Sequence, residues 1–206
     1  MGRAALSTAE RDAFRASMRE VATRRFAKHG EAGVTMRGLA EDLGCSPMTP
    51  YKYFRDRDEI FLMVRVAAME TFAEAQEQAA ASQRDPVDRL RALGRAYVQF
   101  AKDHPDQYRI MFELERPRAQ EREAIAKLDR RTWAPMRGTI DDAISRGLLH
   151  GDPDELTHMC WAAVHGLATL HLSGKLRLGR DLDSLIEPTM DLLVAGASKP
   201  SRKKAR

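Results

Sequence analysis

One stretch, Val34 to Glu59 (VTMRGLAEDLGCSPMTPYKYFRDRDE), constrains this chain more than any other. Thr35 is a good N-cap, and Val34 ahead of it can pack on Leu39 as a hydrophobic staple. Met36, Leu39, Ala40 and Leu43 then recur at helical spacing. Gly44 supplies a left-handed stop, because it has no Cβ to clash. Ser46 is placed to cap a second helix, with Pro47 at its first position, where a missing N–H costs nothing. That helix is expected over residues 47–53, ending near Phe54. Asp56 then caps a long helix, and Glu59 stands where a capping box would close.

A helix, a Gly turn and a short second helix follow the plan of a helix-turn-helix. The second helix is too short to bury much, so most of its side chains are free to face a partner. Hydroxyls and the Lys52 ammonium suit phosphate oxygens, and the methyls of Met48 and Thr49 suit thymine. The competing reading is a three-helix brace whose turn only packs.

The order Ser46, Tyr51-Lys52-Tyr53-Phe54 and Arg57-Asp58-Glu59-Ile60, behind an N-terminal helix, resembles the DNA-binding domain of TetR-family transcriptional regulators. Thr35 and Gly44-Cys45-Ser46 complete the pattern, which covers about residues 8–65. The resemblance implies DNA contacts from Thr35, Arg37, Ser46, Pro47, Met48, Thr49, Tyr51, Lys52, Tyr53 and Arg57. The chain departs from the family at Pro50, where most members carry Leu or Ile. If Ser46 is the cap, Pro50 removes the first intrahelical hydrogen bond, so the element is expected to start bent or as a 3₁₀ turn.

Charge divides along the chain. Residues 1–65 carry 12 Lys/Arg against 9 Asp/Glu, and residues 66–198 carry 17 against 21. Residues 199–206 carry five basic residues and no acid. Basic ends around an acidic body suit a head that meets phosphate and a body that does not. The fractions of 43% hydrophobic and 31% charged residues are those of a globular protein. No apolar run approaches the roughly 20 residues of a membrane span, and the N-terminus lacks an apolar signal region, so a cytoplasmic chain with no membrane partner is expected. Cys45 and Cys160 are expected to be reduced and unpaired.

Ser7 and Glu10 start the first helix, which carries Phe14, Met18, Val21, Ala22 and Phe26 on one side until Gly30. Arg3 lies in an arm ahead of it, and Arg11, Arg15, Arg19, Arg24 and Lys28 are expected to form a solvated face. The helix from Asp56 is expected to reach about Ser82 and to act as the lever between head and body. Breaks at Asp85-Pro86, His104-Pro105, Pro117, Gly147, Asp152-Pro153, Gly174 and Asp181 mark helix-helix joints. No alternating run or hairpin signal occurs, so the fold class is all-α. The expected organisation is a helix-turn-helix domain over 1–60, a helical effector-binding and dimerisation domain over 61–197, and a basic tail over 198–206.

Trp161, His165 and Gly166 resemble the Trp-His-Gly motif of one TetR-family C-terminal class, and Tyr108-Arg109-Ile110-Met111-Phe112 is similar to that class too. The resemblance implies an effector pocket in the body and a dimer on the last two helices. Candidate pocket residues are Tyr97, Phe100, Tyr108, Met111, Phe112, Trp133, Met136, Ile140, Trp161 and His165. Candidate dimer residues are Trp161, Gly166, Leu167, Leu170, Leu185 and Leu192. For any single aromatic, an ordinary core role is the stronger alternative.

The histidines and thiol at 158, 160, 165 and 171 do not have the three- or four-residue spacing of helical metal ligands, so core histidines are preferred. No nucleophile elbow or Gly-rich phosphate loop occurs, so neither catalytic residues nor a cofactor is expected. The expectation is a ligand-responsive regulator, read as a repressor. It would bind a pseudo-palindromic double-stranded operator as a homodimer and answer to a small apolar or aromatic effector. The alternative is a ligand-binding or interaction module in which the helix-turn-helix is only structural.

Overall fold

The computed structural model describes residues 7–114 and 122–198. The expected arm at Arg3, the break at Pro117 and the basic tail from Lys199 lie outside them. The described residues form eight α-helices and one 3₁₀ turn with no strand, as the all-α reading requires. The helices are α1 (Thr8–Gly33), α2 (Met36–Asp42), α3 (Arg57–Ala81) and α4 (Pro86–Asp103), then α5 (Pro105–Glu113), α6 (Arg122–Ser145), α7 (Pro153–Leu172) and α8 (Leu182–Ala197); the 3₁₀ turn spans Pro50–Lys52.

Two compact units result. One comprises Met1–Met69 with Asp106–Ile125, and the other Glu70–Pro105 with Ala126–Arg206. The division falls inside α3, between Met69 and Glu70 rather than at 60/61, and places α5 from Asp106 onward with the first unit.

In the first unit, α1 opens on a full capping box. The Ser7 hydroxyl accepts from the Glu10 amide at 3.2 Å, and the Glu10 carboxylate accepts from the Ser7 amide at 2.8 Å. Helical geometry fails at Gly30, whose φ of 66° only glycine adopts freely, and the chain resumes one short turn to Gly33. The predicted stop is therefore a kink rather than an end. The Thr35 hydroxyl accepts from the Gly38 amide at 3.1 Å and starts α2. Asp56 caps α3 through the Glu59 amide at 2.9 Å, but Glu59 returns to the Arg55 amide at 2.8 Å, not to Asp56. The expected capping box is thus displaced by one residue.

The core of this unit gathers Met18, Phe26, Val34, Leu39, Phe54 and Ile60, all buried, with Ile110 of α5 among them. Each such side chain contributes about 1.5–3 kcal/mol by leaving water. α2 is only 7 residues long and cannot hold itself, so α1 holds it. Arg25 donates Nε to the Gly33 carbonyl at 2.9 Å and Nη1 to the Gly38 carbonyl at 3.2 Å, and Nη1 pairs with Asp42 at 2.7 Å.

In the second unit α4, α7 and α8 pack on one another. Aspartates cap all three, with Asp85 accepting from Val87 and Asp88, Asp152 from Asp154 and Glu155, and Asp181 from Ser184. α4 and α8 approach closely at Gly94, where a Cβ would lie 2.7 Å from the Met190 sulfur. Three ion pairs bridge the same two helices, namely Arg91–Asp191 (2.9 Å), Arg95–Glu187 (2.7 Å) and Lys102–Asp183 (2.7 Å). All are solvent-facing, so they align the helices more than they stabilise them. Within α6, the Thr139 hydroxyl donates to the Pro135 carbonyl at 2.7 Å, occupying an acceptor near the position where proline interrupts the ladder.

Gly38 is the point where α1 and α2 nearly touch. A Cβ there would stand 2.3 Å from Arg25 Nη2, so Gly38→Ala must expel the guanidinium and its three interactions. The expected loss is about 1–3 kcal/mol, read as a lower melting midpoint for the head in thermal denaturation. An unchanged midpoint would show that Arg25 does not hold α2.

Candidate nucleic-acid interface and interior sites

The segment between α2 and α3 is not the α-helix expected over 47–53. Residues 46–49 form a turn closed by the Thr49 amide on the Ser46 carbonyl at 2.8 Å. The 3₁₀ turn Pro50–Lys52 follows, closed by the Tyr53 amide on the Pro50 carbonyl at 3.0 Å. The cause is Pro50. An α-helix capped at Ser46 needs residue 50 to donate to the Ser46 carbonyl, and proline has no N–H. Ser46 does not cap a helix either; its hydroxyl pairs with that of Thr49 at 2.8 Å. The departure from family pattern therefore shortens the whole element, beyond bending its start.

Despite this, the side chains sort cleanly. Pro50 and Phe54 are buried beneath the turn, while Met48 is 66% exposed and Tyr51 50% exposed. Ser46, Pro47 and Lys52 are exposed as well, and Thr49 is half-buried. Arg37 projects from α2, paired along the helix with Glu41 at 3.0 Å. The face thus offers a phenol, an ammonium, hydroxyls and a thioether on a rigid base.

Three expected contact residues are occupied otherwise. Tyr53 is half-buried, its ring stacked on Phe14 at 4.0 Å. Thr35 spends its hydroxyl on capping α2. Arg57 lies over the Phe61 ring at 5.2 Å, with Glu31 at 3.9 Å and Asp58 at 3.8 Å.

Arg15, expected in a solvated face, is instead the brace of the turn. Its Nη1 donates to the Tyr53 carbonyl at 3.1 Å, its guanidinium lies 4.5 Å above the Phe54 ring, and Glu59 stands 3.6 Å away. The four- and five-residue spacing of Arg11, Arg15, Arg19, Arg24 and Lys28, which reads as one polar face, hid this role. The available signal was Phe14 beside Arg15, an aromatic and a cation aimed at the aromatic pair Tyr53-Phe54.

The candidate pocket residues separate. Tyr108, Met111 and Phe112 belong to the first unit, where Tyr108 and Phe112 pack at 4.8 Å and Met111 lies against the head core. The remainder belong to the second unit. There Trp161 Nε1 donates to the Tyr97 hydroxyl at 3.2 Å, and His165 Nδ1 lies 3.2 Å from that same hydroxyl. Trp133 meets Trp161 edge-on at 6.1 Å and packs on His158 at 4.6 Å, and Phe72 meets both Tyr97 (5.2 Å) and Phe100 (5.1 Å) edge-on.

An apolar pocket of about 500 Å³, open to solvent on one side, lies among α4, α6, α7 and α8. Of the candidate pocket residues only Ile140 lines it, with Leu90, Leu156, Cys160 and Leu193 among its other walls. Burial raises the Cys160 thiol to about 11, so it remains protonated. Among the described residues no group of three His, Cys, Asp or Glu is arranged to hold a metal ion, and no helix is long and apolar enough to cross a membrane.

A unit in which short elements carry an exposed turn, in a chain whose second unit is all-helical, has the architecture of a helix-turn-helix regulator. Residues 18–64 match the profile described as bacterial regulatory proteins, tetR family, and residues 90–193, just over half of the chain, match the tetracyclin repressor-like C-terminal domain. The chain belongs to the TetR family of bacterial transcriptional regulators. It is 28% identical over 150 residues to the HTH-type transcriptional regulator Rv1816 of Mycobacterium tuberculosis, covering 69% of this chain and 60% of that one. The match thus spans about three-fifths of the curated relative's length. Among solved structures, a protein of unknown function from Rhodococcus sp. RHA1 superposes with a TM-score of 0.78 at 24% identity, covering 90% of this chain and 95% of that one. The ketosteroid transcriptional regulator KstR2 of Mycobacterium tuberculosis gives 0.72 at 16% identity, covering 91% and 96%. Both share the fold.

Burial holds the His165 pKa below its ordinary value. The unfolded chain then binds the proton more readily than the folded one between the two values, so stability falls as pH drops through about 6.5. Melting midpoints measured from pH 7.5 to 5 are expected to fall less in His165→Gln than in wild type. Parallel curves would remove His165 from the acid sensitivity.

Proposed function

We propose that this chain is an effector-responsive repressor that binds a pseudo-palindromic operator as a homodimer. The observation that carries the DNA reading is the exposed set Met48, Tyr51 and Lys52 on a turn whose opposite side, Pro50 and Phe54, is sealed in the core. Large apolar and aromatic side chains held in water by a braced backbone suit a partner surface better than solvent. Tyr51 and Lys52 offer a hydroxyl and an ammonium to phosphate, while Met48 and Thr49 present alkyl groups to base edges.

The dimer reading rests on α7 and α8. Trp161, Leu170 and Leu192 are exposed on these helices, with Gly166, Leu167 and Leu185 half-buried between them. A single three-residue reading turn covers too few base pairs for a specific site, and two-fold symmetry doubles the contacts. The effector reading is supported by the apolar pocket among α4, α6, α7 and α8, which is open to solvent on one side.

Operator fragments selected from random DNA test the reading. Tyr51→Phe and Lys52→Ala are expected to weaken binding similarly across sequences while leaving the melting midpoint unchanged. Lys52→Ala should also reduce the slope of log affinity against log salt by about one. Wild-type affinity in both variants would refute the assignment of this face.

Gly166 offers a second test, because a Cβ there meets nothing within 4 Å in the single chain. Gly166→Leu is expected to keep the folded subunit and to separate or weaken the dimer in sedimentation experiments. A wild-type subunit monomeric at micromolar concentration would refute the assembly.

A further inference from the structure

The arginines around the turn between α2 and α3 differ in how much of each is already spent. Arg15 holds the Tyr53 carbonyl, the Phe54 ring and Glu59. Arg57, which the family resemblance assigns to DNA, lies over the Phe61 ring with Glu31 and Asp58 beside it, and its side chain is 39% exposed. To reach a phosphate it must leave the ring and both carboxylates. Arg55, which the resemblance does not name, is the contrast. Its side chain is 72% exposed. Its Nε donates to Asp56 Oδ2 at 3.1 Å, and neither Nη group has a partner among the described residues.

The placement of Arg55 is built by its neighbours. Its amide donates to Glu59 Oε2 at 2.8 Å, and Arg15 stands 3.6 Å from the other oxygen of that carboxylate. Asp56, which takes Nε on one oxygen, accepts the Glu59 amide on the other at 2.9 Å as the cap of α3. Backbone and Nε are thus held from one corner of the first unit, leaving the Nη fork at the exposed end. Lys52 and Arg55 flank the half-buried Tyr53 and the buried Phe54, so the two cations stay outside while the aromatics between them are packed away. The acids nearby are offset: Glu59 by Arg15, Asp58 by Arg57, and Asp56 by Arg55 and the amide it caps.

We infer that Arg55, rather than Arg57, is the arginine of this face that binds a phosphate of the DNA backbone, through its Nη fork. The inference rests on the DNA-binding reading above. A phosphate accepts two parallel N–H groups from one guanidinium, a geometry that the Lys52 ammonium does not offer. The exposed pair with Asp56 contributes little to the fold and engages Nε alone, so an approaching phosphate joins it without breaking it. Phosphates are alike at every base pair, so Arg55 adds affinity and register without sequence preference.

The full-length chain is titrated against its selected operator between about 50 and 200 mM NaCl. Arg55→Gln is expected to lower the slope of log affinity against log salt by about 0.9 for each subunit bound. It should weaken all single-base operator variants by the same factor and leave the melting midpoint unchanged. Arg55→Lys, which keeps the charge and loses the fork, should keep the slope and lose part of the affinity. Arg57→Gln should keep the slope. An unchanged slope in Arg55→Gln, or a lowered one in Arg57→Gln, overturns the inference. So does an altered ranking of operator variants in Arg55→Gln, since the contact is then with a base. A wild-type chain that selects no operator overturns the regulator reading and this inference with it. Wild-type binding that Lys52→Ala weakens and Arg55→Gln does not overturns this inference alone.

Discussion

The turn between α2 and α3 depends on one guanidinium. A three-residue 3₁₀ turn has too few internal hydrogen bonds to hold its own shape. Arg15, on a different helix, supplies what is missing: a hydrogen bond to the Tyr53 carbonyl and a cation over the Phe54 ring. The Phe14–Tyr53 stack beside it clamps the same place from the next residue. Arg25 does for α2 what Arg15 does for the turn, tying carbonyls at Gly33 and Gly38 to α1. The head is therefore a long helix carrying two short elements on arginine bridges, with a shared apolar core beneath.

The second unit is organised differently. Its three mutually packed helices cross closely enough at Gly94 and Met190 to need glycine, and aspartate caps start each of them. The Tyr97 hydroxyl collects Trp161 and His165 into one polar knot inside otherwise apolar packing. A knot of this kind ties α4 to α7 directionally, which dispersion between leucines does not do.

Much of this was legible in the residues. Caps at Ser7, Thr35, Asp56, Asp85 and Asp152, and the helix start at Asp181, announced themselves because capping is local, decided within three or four positions. Pro50 announced a disturbance, but its extent depended on whether the residues around it had other means of support, which is a tertiary question. Arg15 and Arg25 were illegible for the same reason. An arginine on a polar helix face reads as solvated until the partner carbonyls, 38 and 8 or 13 residues away, are brought to it. The pocket among α4, α6, α7 and α8 has aliphatic walls from four helices and a connecting loop, and of these the sequence analysis named only Ile140, because such walls come together only in the folded chain.

Pro50 carries a further consequence. A proline with its ring buried and its single backbone torsion set in advance makes the turn stiff before any partner arrives. Little ordering remains for association to impose, so contact energy goes into the complex rather than into shaping the protein. Stiffness also removes the freedom to mould. An adaptable loop meets a poor groove halfway, but a rigid one leaves gaps against it. Discrimination by such an element comes from what it fails to fit, and a softer partner must do the bending.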